Sequence, residues 1–234
     1  MDFPRRLTPE ILDTLPQDDP RALRSRRDLR VINAVLGGGR WLLQHIDAQL
    51  SADPKIRRVV ECGAGDGVLT RKIANMLAAR HPDISVTAVD LQPHPRGWQE
   101  HPNAQWHQGD LLTAEALFDQ TTLIVANLIL HHFTDEQLQT LGKIFSQARC
   151  ALFSEPHRWR PWMRFALYPL GLNDVTRHDM RVSVESGFTG TELEDKLGFT
   201  APEWKVSNRS TFRGLHQVIA RRMSDDHDTP DSTI

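Results

Sequence analysis

The segment Glu61-Cys62-Gly63-Ala64-Gly65-Asp66-Gly67 carries the residue types and spacing best suited to chemistry. Glycine at every second position lets the backbone turn sharply and approach a ligand closely, and the start of a following helix favours an anionic group. A dinucleotide-binding loop, G-x-G-x-x-G, places its third glycine at the sixth position. Here the third glycine is at the fifth, the sixth is Val68, and Glu61 stands two places before the first glycine. That carboxylate would repel a pyrophosphate and attract an ammonium group.

Histidines are the second set. His131-His132 follows one apolar run, His157 follows another, and His178 lies further on in Arg177-His178-Asp179, beside a cation and a carboxylate. Histidine exchanges protons near neutral pH, so His131, His132 and His178 are the candidate catalytic bases. If the chain is extended at His131-His132, the two rings cannot both enter one site. No HExxH and no paired Cys/His spacing occurs, so no metal site is expected.

The elements that must position these groups alternate. Val59-Val60 ends an apolar run at the glycine segment, and Leu69, Ile73, Met76 and Leu77 continue with helical spacing. Ile84 to Val89 is a β-branched run ending at Asp90, Leu123 to Leu130 reads as a central parallel strand, and Cys150 to Phe153 as the next one. Repeated β-α-β predicts an α/β doubly wound sheet, in which ligands bind beyond the carboxyl ends of the strands. Glu203–Ser207 and Thr211–Ala220 are too close for a helical crossover and are expected to pair antiparallel. Ahead of the sheet, residues 1–52 read as a helical cap. Thr8-Pro9-Glu10 and Asp19-Pro20 supply two helix starts, Leu29, Ile32 and Leu36 an apolar stripe, and Gly37-Gly38-Gly39 a break. Residues 53–223 form the main domain, with an insertion at about 157–190, and 224–234 an acidic tail expected to be mobile.

The glycine segment resembles motif I, acidic-x-G-x-G-x-G, of the class I S-adenosylmethionine-dependent methyltransferases, and the resemblance extends over about 57–222. It implies a Rossmann-like seven-stranded sheet with an antiparallel last strand, and S-adenosylmethionine as cofactor. Glu61, Gly63, Ala64, Gly65 and Gly67 would then surround its amino-acid portion, and Asp90-Leu91 would hold the ribose hydroxyls. Gly109-Asp110-Leu111 resembles the motif that accepts from the adenine amino group, and Asn127-Leu128 the one that lines the methionine portion. Arg40, after the glycine break, is the candidate partner of the cofactor carboxylate. The pattern Ile32 to Trp41 is similar to methyltransferases of bacterial secondary metabolism, which implies an aromatic small-molecule acceptor methylated on a phenolic or enolic oxygen. The insertion would cover that acceptor, with Trp159, Trp162, Phe165 and Tyr168 as aromatic surface and His157, Trp162 and Arg177 as contacts.

Composition narrows the alternatives. The 234 residues carry 28 Lys+Arg against 30 Asp+Glu, a net charge of −2, with 39% apolar residues. No apolar run reaches the roughly 18–20 residues of a membrane span, and MDFPRRLTPE lacks a signal-peptide core. Near-neutral charge argues against a nucleic-acid partner, although Arg21 to Arg30 could serve an RNA-modifying enzyme; Asn127-Leu128-Ile129-Leu130 departs from the Asn/Asp-Pro-Pro-aromatic motif of base-amino methylation. A non-catalytic S-adenosylmethionine-binding protein is the other alternative, and a homodimer is compatible with the sequence. Two isolated cysteines, Cys62 and Cys150, read as buried thiols of a cytoplasmic protein.

Overall fold

Alternating apolar runs and helix-spaced segments build one sheet covered on both faces. The computed structural model describes residues 4–16, 18–95, 98, 101–158 and 171–223. Among these, the strands are β1 (Arg58–Cys62), β2 (Ser85–Asp90), β3 (Ala104–Gln108), β4 (Thr122–Asn127), β5 (Cys150–Pro156), β6 (Trp204–Ser210) and β7 (Leu215–Arg222). They lie in the order β3-β2-β1-β4-β5-β7-β6. The first five run parallel, and β7 is antiparallel to both β5 and β6. The helices are α1 (Ile11–Thr14), α2 (Pro20–Leu36), α3 (Gly38–Ala52), α4 (Val68–Arg80), α5 (Asp135–Phe145), α6 (Asp174–Glu185) and α7 (Glu192–Leu197). No helix among the described residues is long and apolar enough to cross a membrane.

Side-chain alternation along the strands separates two cores. Val59, Leu123, Val125 and Leu152 meet Leu42 and Ile46 of α3 and Ile73 and Leu77 of α4 on one face. On the other, Val60, Ile124, Ala126 and Phe153 meet Leu138, Leu141 and Phe145 of α5 and Leu193 and Leu197 of α7. Helix α5 approaches α7 closely because position 142 is glycine: a Cβ there would lie 2.1 Å from the Leu197 carbonyl oxygen. Gly142→Ala should therefore cost about 1–3 kcal/mol through overpacking and lower the melting temperature by about 5 °C. An unchanged thermal melt would show that the two helices separate without cost.

The cap and the central strand depart from the sequence reading. Asp19 accepts from Arg21 N at the start of α2, with Pro20 in its first turn, as expected. Thr8-Pro9 starts no helix; α1 begins at Ile11, and its cap comes from α6, where Asp179 accepts from Ile11 N (2.8 Å) and Leu12 N (3.1 Å). The stripe Leu29, Ile32 and Leu36 is only half-buried, while Ala22 and Ser25 are the fully buried positions of α2. Strand β4 stops at Asn127; Leu128 turns with φ +58° and Leu130–His132 is a 3-10 turn, so the run Leu123 to Leu130 is a strand followed by a packed corner. The tail 224–234 and the aromatic stretch 159–170, which includes Trp159, Trp162, Phe165 and Tyr168, lie outside the described residues.

Candidate active site

Strand β1 ends in the glycine loop, and the loop's conformation explains its composition. Gly63, Gly65 and Gly67 all have positive φ, +69°, +56° and +66°. A Cβ on Gly63 would fall 2.4 Å from Ile129 Cγ1, so the loop and the corner after β4 touch there; a Cβ on Gly65 would meet nothing. Asp90, at the carboxyl end of β2, stitches the loop, its Oδ2 accepting from Gly65 N (2.8 Å) and its Oδ1 from Gln92 N (2.9 Å). Glu61 is buried and accepts from Thr70 Oγ1 at 2.6 Å. Burial, reinforced by the charges of Asp66 and Asp90 and only partly offset by Thr70, pushes its carboxyl up to about 8.

Two orphaned acceptors lie on the same face. Asn127 Oδ1 and Ser154 Oγ, paired in register at the ends of β4 and β5, are buried without partners. Gly38, in the first turn of α3, sits over both: a Cβ there would be 2.7 Å from Ser154 Oγ and 3.0 Å from Asn127 Oδ1. A loop open at Gly65, carboxylates at the ends of β1 and β2 and an unpaired amide at the end of β4 fit the sulfonium cofactor that the sequence resemblance implies. Leu91 is exposed beside Asp90, and Gly109 N donates to Asp90 O (2.9 Å), which brings Gly109, Asp110 and Leu111 to the same edge. Asp110 is exposed and caps the next turn through Leu112 N (2.9 Å). Arg40 lines an open cavity of about 480 Å3 with Trp41, Arg209, Phe212 and Arg213; no residue of Gly63–Gly67 lines that cavity.

The histidines divide by their partners. Glu155, fully buried on β5, accepts from Ile129 N (3.1 Å), Leu130 N (3.0 Å), His131 N (3.3 Å) and the His131 ring at Nδ1 (2.8 Å). It clasps the whole corner. His131 Nε2 faces Glu10 Oε1 at 3.7 Å, and His132 Nε2 lies 3.9 Å from the same oxygen. The two rings are tilted, with centroids 4.2 Å apart. In this 3-10 turn adjacent side chains do converge, which an extended chain would prevent. Burial alone would depress His131, but Glu10 and Glu155 reverse that and hold it at about 9. Burial and the neighbouring His131 charge push His132 down to about 4. The three donors of Glu10, His131 and His132 lie within 4.8 Å of one another, a grouping that could take a cation and that no local motif could reveal, because Glu10 is distant in sequence.

The remaining candidates, His178, Arg177 and His157, each have different neighbours. His178 Nδ1 is 3.1 Å from Asp179 Oδ1, but that buried carboxylate is committed to capping α1. Arg177 pairs with Asp174 on its own helix. His157 is half-buried, its N–H bonded to Gly214 O (2.9 Å), and burial beside His216 and Arg158 lowers its pKa. Arg158 is buried against Glu192 (2.6 and 2.8 Å) and Gly187 O, so it braces the structure and is not available to a ligand. Glu10 and Glu155 were not singled out in the sequence. Glu155 had a signal, a carboxylate ending an apolar strand, which burial would force into partnership. Glu10 had none. Its segment is strapped down by Arg5, which donates to His131 O (2.9 Å), Phe133 O (2.8 Å) and Ser186 O (2.8 Å).

No protein-family profile and no curated protein matches the chain. Solved structures do match it. The plantazolicin methyltransferase BpumL, solved with a triazolic desmethylPZN analog and SAH, is similar over 91% of this chain and 93% of its own, with TM-score 0.68 and 11% identity. The plantazolicin methyltransferase BamL gives 0.67 and 10% over the same shares. Human N-acetylserotonin methyltransferase, solved with SAM, gives 0.55 and 13% over 91% of this chain and 61% of its own. At such identities the likeness is one of fold, and it agrees with the strand order and the antiparallel β7: the chain has the fold of the class I S-adenosylmethionine-dependent methyltransferases.

Proposed function

We propose that the chain transfers a methyl group from S-adenosylmethionine to a small-molecule acceptor, at a phenolic or enolic oxygen. The observation that carries the cofactor half is the ring of polar groups at one end of the sheet: Glu61, Asp90 and the unpartnered Asn127 amide around a loop open at Gly65. Asp90 would hold the ribose and Glu61 the amino group. The cofactor brings an already activated methyl, so the chain's main task is alignment of the acceptor, worth on the order of 7–11 kcal/mol. The acceptor half rests on the Glu10–His131–His132 cluster, whose histidines lie in the turn that begins three residues after Asn127, beyond the carboxyl end of β4, and which could activate a hydroxyl there. His178 keeps its 3.1 Å contact with Asp179, which also caps α1, and remains the second candidate base.

Calorimetry should find saturable binding of S-adenosylmethionine and S-adenosylhomocysteine and none comparable for NAD. Charged hydrogen bonds contribute about 1.5–3 kcal/mol each, so Asp90→Ala should weaken the cofactor at least about tenfold in a protein that still melts cooperatively. Unchanged affinity would remove the ribose assignment. Incubation with a panel of phenols and enols, read by a 14-dalton mass gain, tests the acceptor class; methylation confined to amines or RNA would overturn the oxygen assignment.

A further inference from the structure

We propose that Glu10, His131 and His132 bind one divalent transition-metal ion of the zinc class. The argument begins at the buried ring of His131. Its Nδ1 lies 2.8 Å from Glu155 Oε2, an arrangement that keeps a proton on Nδ1 and leaves Nε2, directed toward Glu10, as the ligating nitrogen. Metal-binding histidines are commonly held by such an outer carboxylate. Nε2 is buried and has no hydrogen-bond partner, yet it faces a carboxylate oxygen at 3.7 Å. In the metal-free protein a proton on Nε2 fills that gap, and a bound ion would displace it.

A proton on Nε2 makes no full hydrogen bond across the gap, because N–H···O bonds reach about 2.7–3.2 Å and the gap is wider. A tetrahedral zinc-class ion fits better. Its bonds of about 2.0–2.2 Å to nitrogen and oxygen put neighbouring donors about 3.4 Å apart. The distances from Glu10, 3.7 Å to His131 and 3.9 Å to His132, are a few tenths of an ångström from that value. All three donors lie within 4.8 Å, so the two rings would draw together on binding, and Glu10 Oε1 also accepts from Ser183 Oγ. The surroundings are acidic as well: Asp13 Oδ2 is 3.8 Å from His132 Nδ1, and Glu155 is buried behind His131. Arg5, the nearby cation, is turned to backbone carbonyls and Asp135.

Three protein donors leave a fourth position free, the pattern of a catalytic and not a structural ion. His132 is 31% exposed, so that position opens outward. Resting on the methyl-transfer reading above, the open position is where an acceptor oxygen would bind and have its hydroxyl acidified.

The test uses the tag-free full chain, treated with chelator and titrated with cobalt(II). One equivalent should bind and give the intense visible absorption of a tetrahedral ion, and zinc should displace it. Glu10→Gln and His132→Asn should each weaken cobalt at least tenfold. The Glu10 side chain is 13% exposed and accepts from Ser183 Oγ, so its variant is read beside its melt, and the more exposed His132→Asn carries the test if Glu10→Gln does not fold. Absence of stoichiometric binding, or binding indifferent to both substitutions, overturns the metal site. Cofactor calorimetry on the same samples separates the two readings: cofactor binding and methylation without cobalt binding reject only the metal, whereas cobalt binding without cofactor binding rejects the methyl-transfer function.

Discussion

Glu155→Ala should lower the melting temperature by about 10 °C and, on the methyl-transfer reading proposed above, abolish turnover. The carboxylate is fully buried and satisfies four donors at once, three backbone N–H groups and the His131 ring. Removing one partner of a buried charged network costs about 3–5 kcal/mol, and in a domain of this size each kcal/mol moves the melt by about 2–4 °C. The corner it clasps is strained: Leu128 holds φ +58°, a left-handed conformation that costs an ordinary residue about 1–2 kcal/mol. The strain persists because Leu128 N donates to Ser154 O (2.9 Å) on one side and Glu155 grips the next three residues on the other. Glu155→Gln keeps one acceptor oxygen but turns an amide N–H against the remaining donors, so its loss should be intermediate. Circular-dichroism melts of both variants check the ordering. A Glu155→Ala melt within 2 °C of wild type would mean that the corner is held by apolar packing of Ile129 and Leu130 alone.

The same corner shows where sequence stops being informative. The glycine loop was legible because its conformation depends on residue type: three positive-φ positions are three glycines. Asp90 was legible because a β-branched run ended there, and the terminal hairpin because its connection was short. The end of β4 was not, since apolarity continues from Val125 through Leu130 while the backbone leaves the sheet at Asn127; Ile129 and Leu130 are needed for packing after the strand has ended. Strand β3 showed no pattern because it is an edge strand with only Ala104 buried. The Glu10–His131–His132 cluster was harder still. Asp179 reads locally as a partner for His178 and stays within 3.1 Å of it, but it also caps the start of α1, and Glu10 reaches the histidines only because Arg5 and Asp179 pin the amino-terminal segment across them. Such groups are assembled by tertiary contacts between distant segments, and no spacing rule records them.

The cofactor side yields a pH-dependent prediction with a definite sign. Glu61 is pushed up to about 8 by burial and by Asp66 and Asp90, so at pH 6 it is almost entirely protonated in the free protein. An ammonium group favours the ionised form. If Glu61 faces the amino group of the cofactor, binding must expel its proton, and each pH unit below about 8 should weaken binding by up to about tenfold. Affinity for S-adenosylhomocysteine should therefore rise steeply from pH 6 to 7.5, with proton release visible when calorimetry is repeated in buffers of different ionisation enthalpy. Binding of 5′-methylthioadenosine, which lacks the amino-acid portion, should stay flat, and Glu61→Gln should flatten the profile of the full ligand. Stability runs the other way. The folded carboxyl titrates near 8 and the unfolded one near 4.5, so the folded state holds the extra proton between those values. Stability is then fully present below about 4.5 and falls as pH rises toward 8, by about 1.4 kcal/mol per unit at the steepest. Glu61→Gln, which cannot ionise, should gain on wild type over that window in chemical denaturation. Parallel pH profiles for the two ligands would make Glu61 a structural partner of Thr70 alone, and a pH-independent stability difference between wild type and Glu61→Gln would mean that the carboxyl is ionised in the free protein.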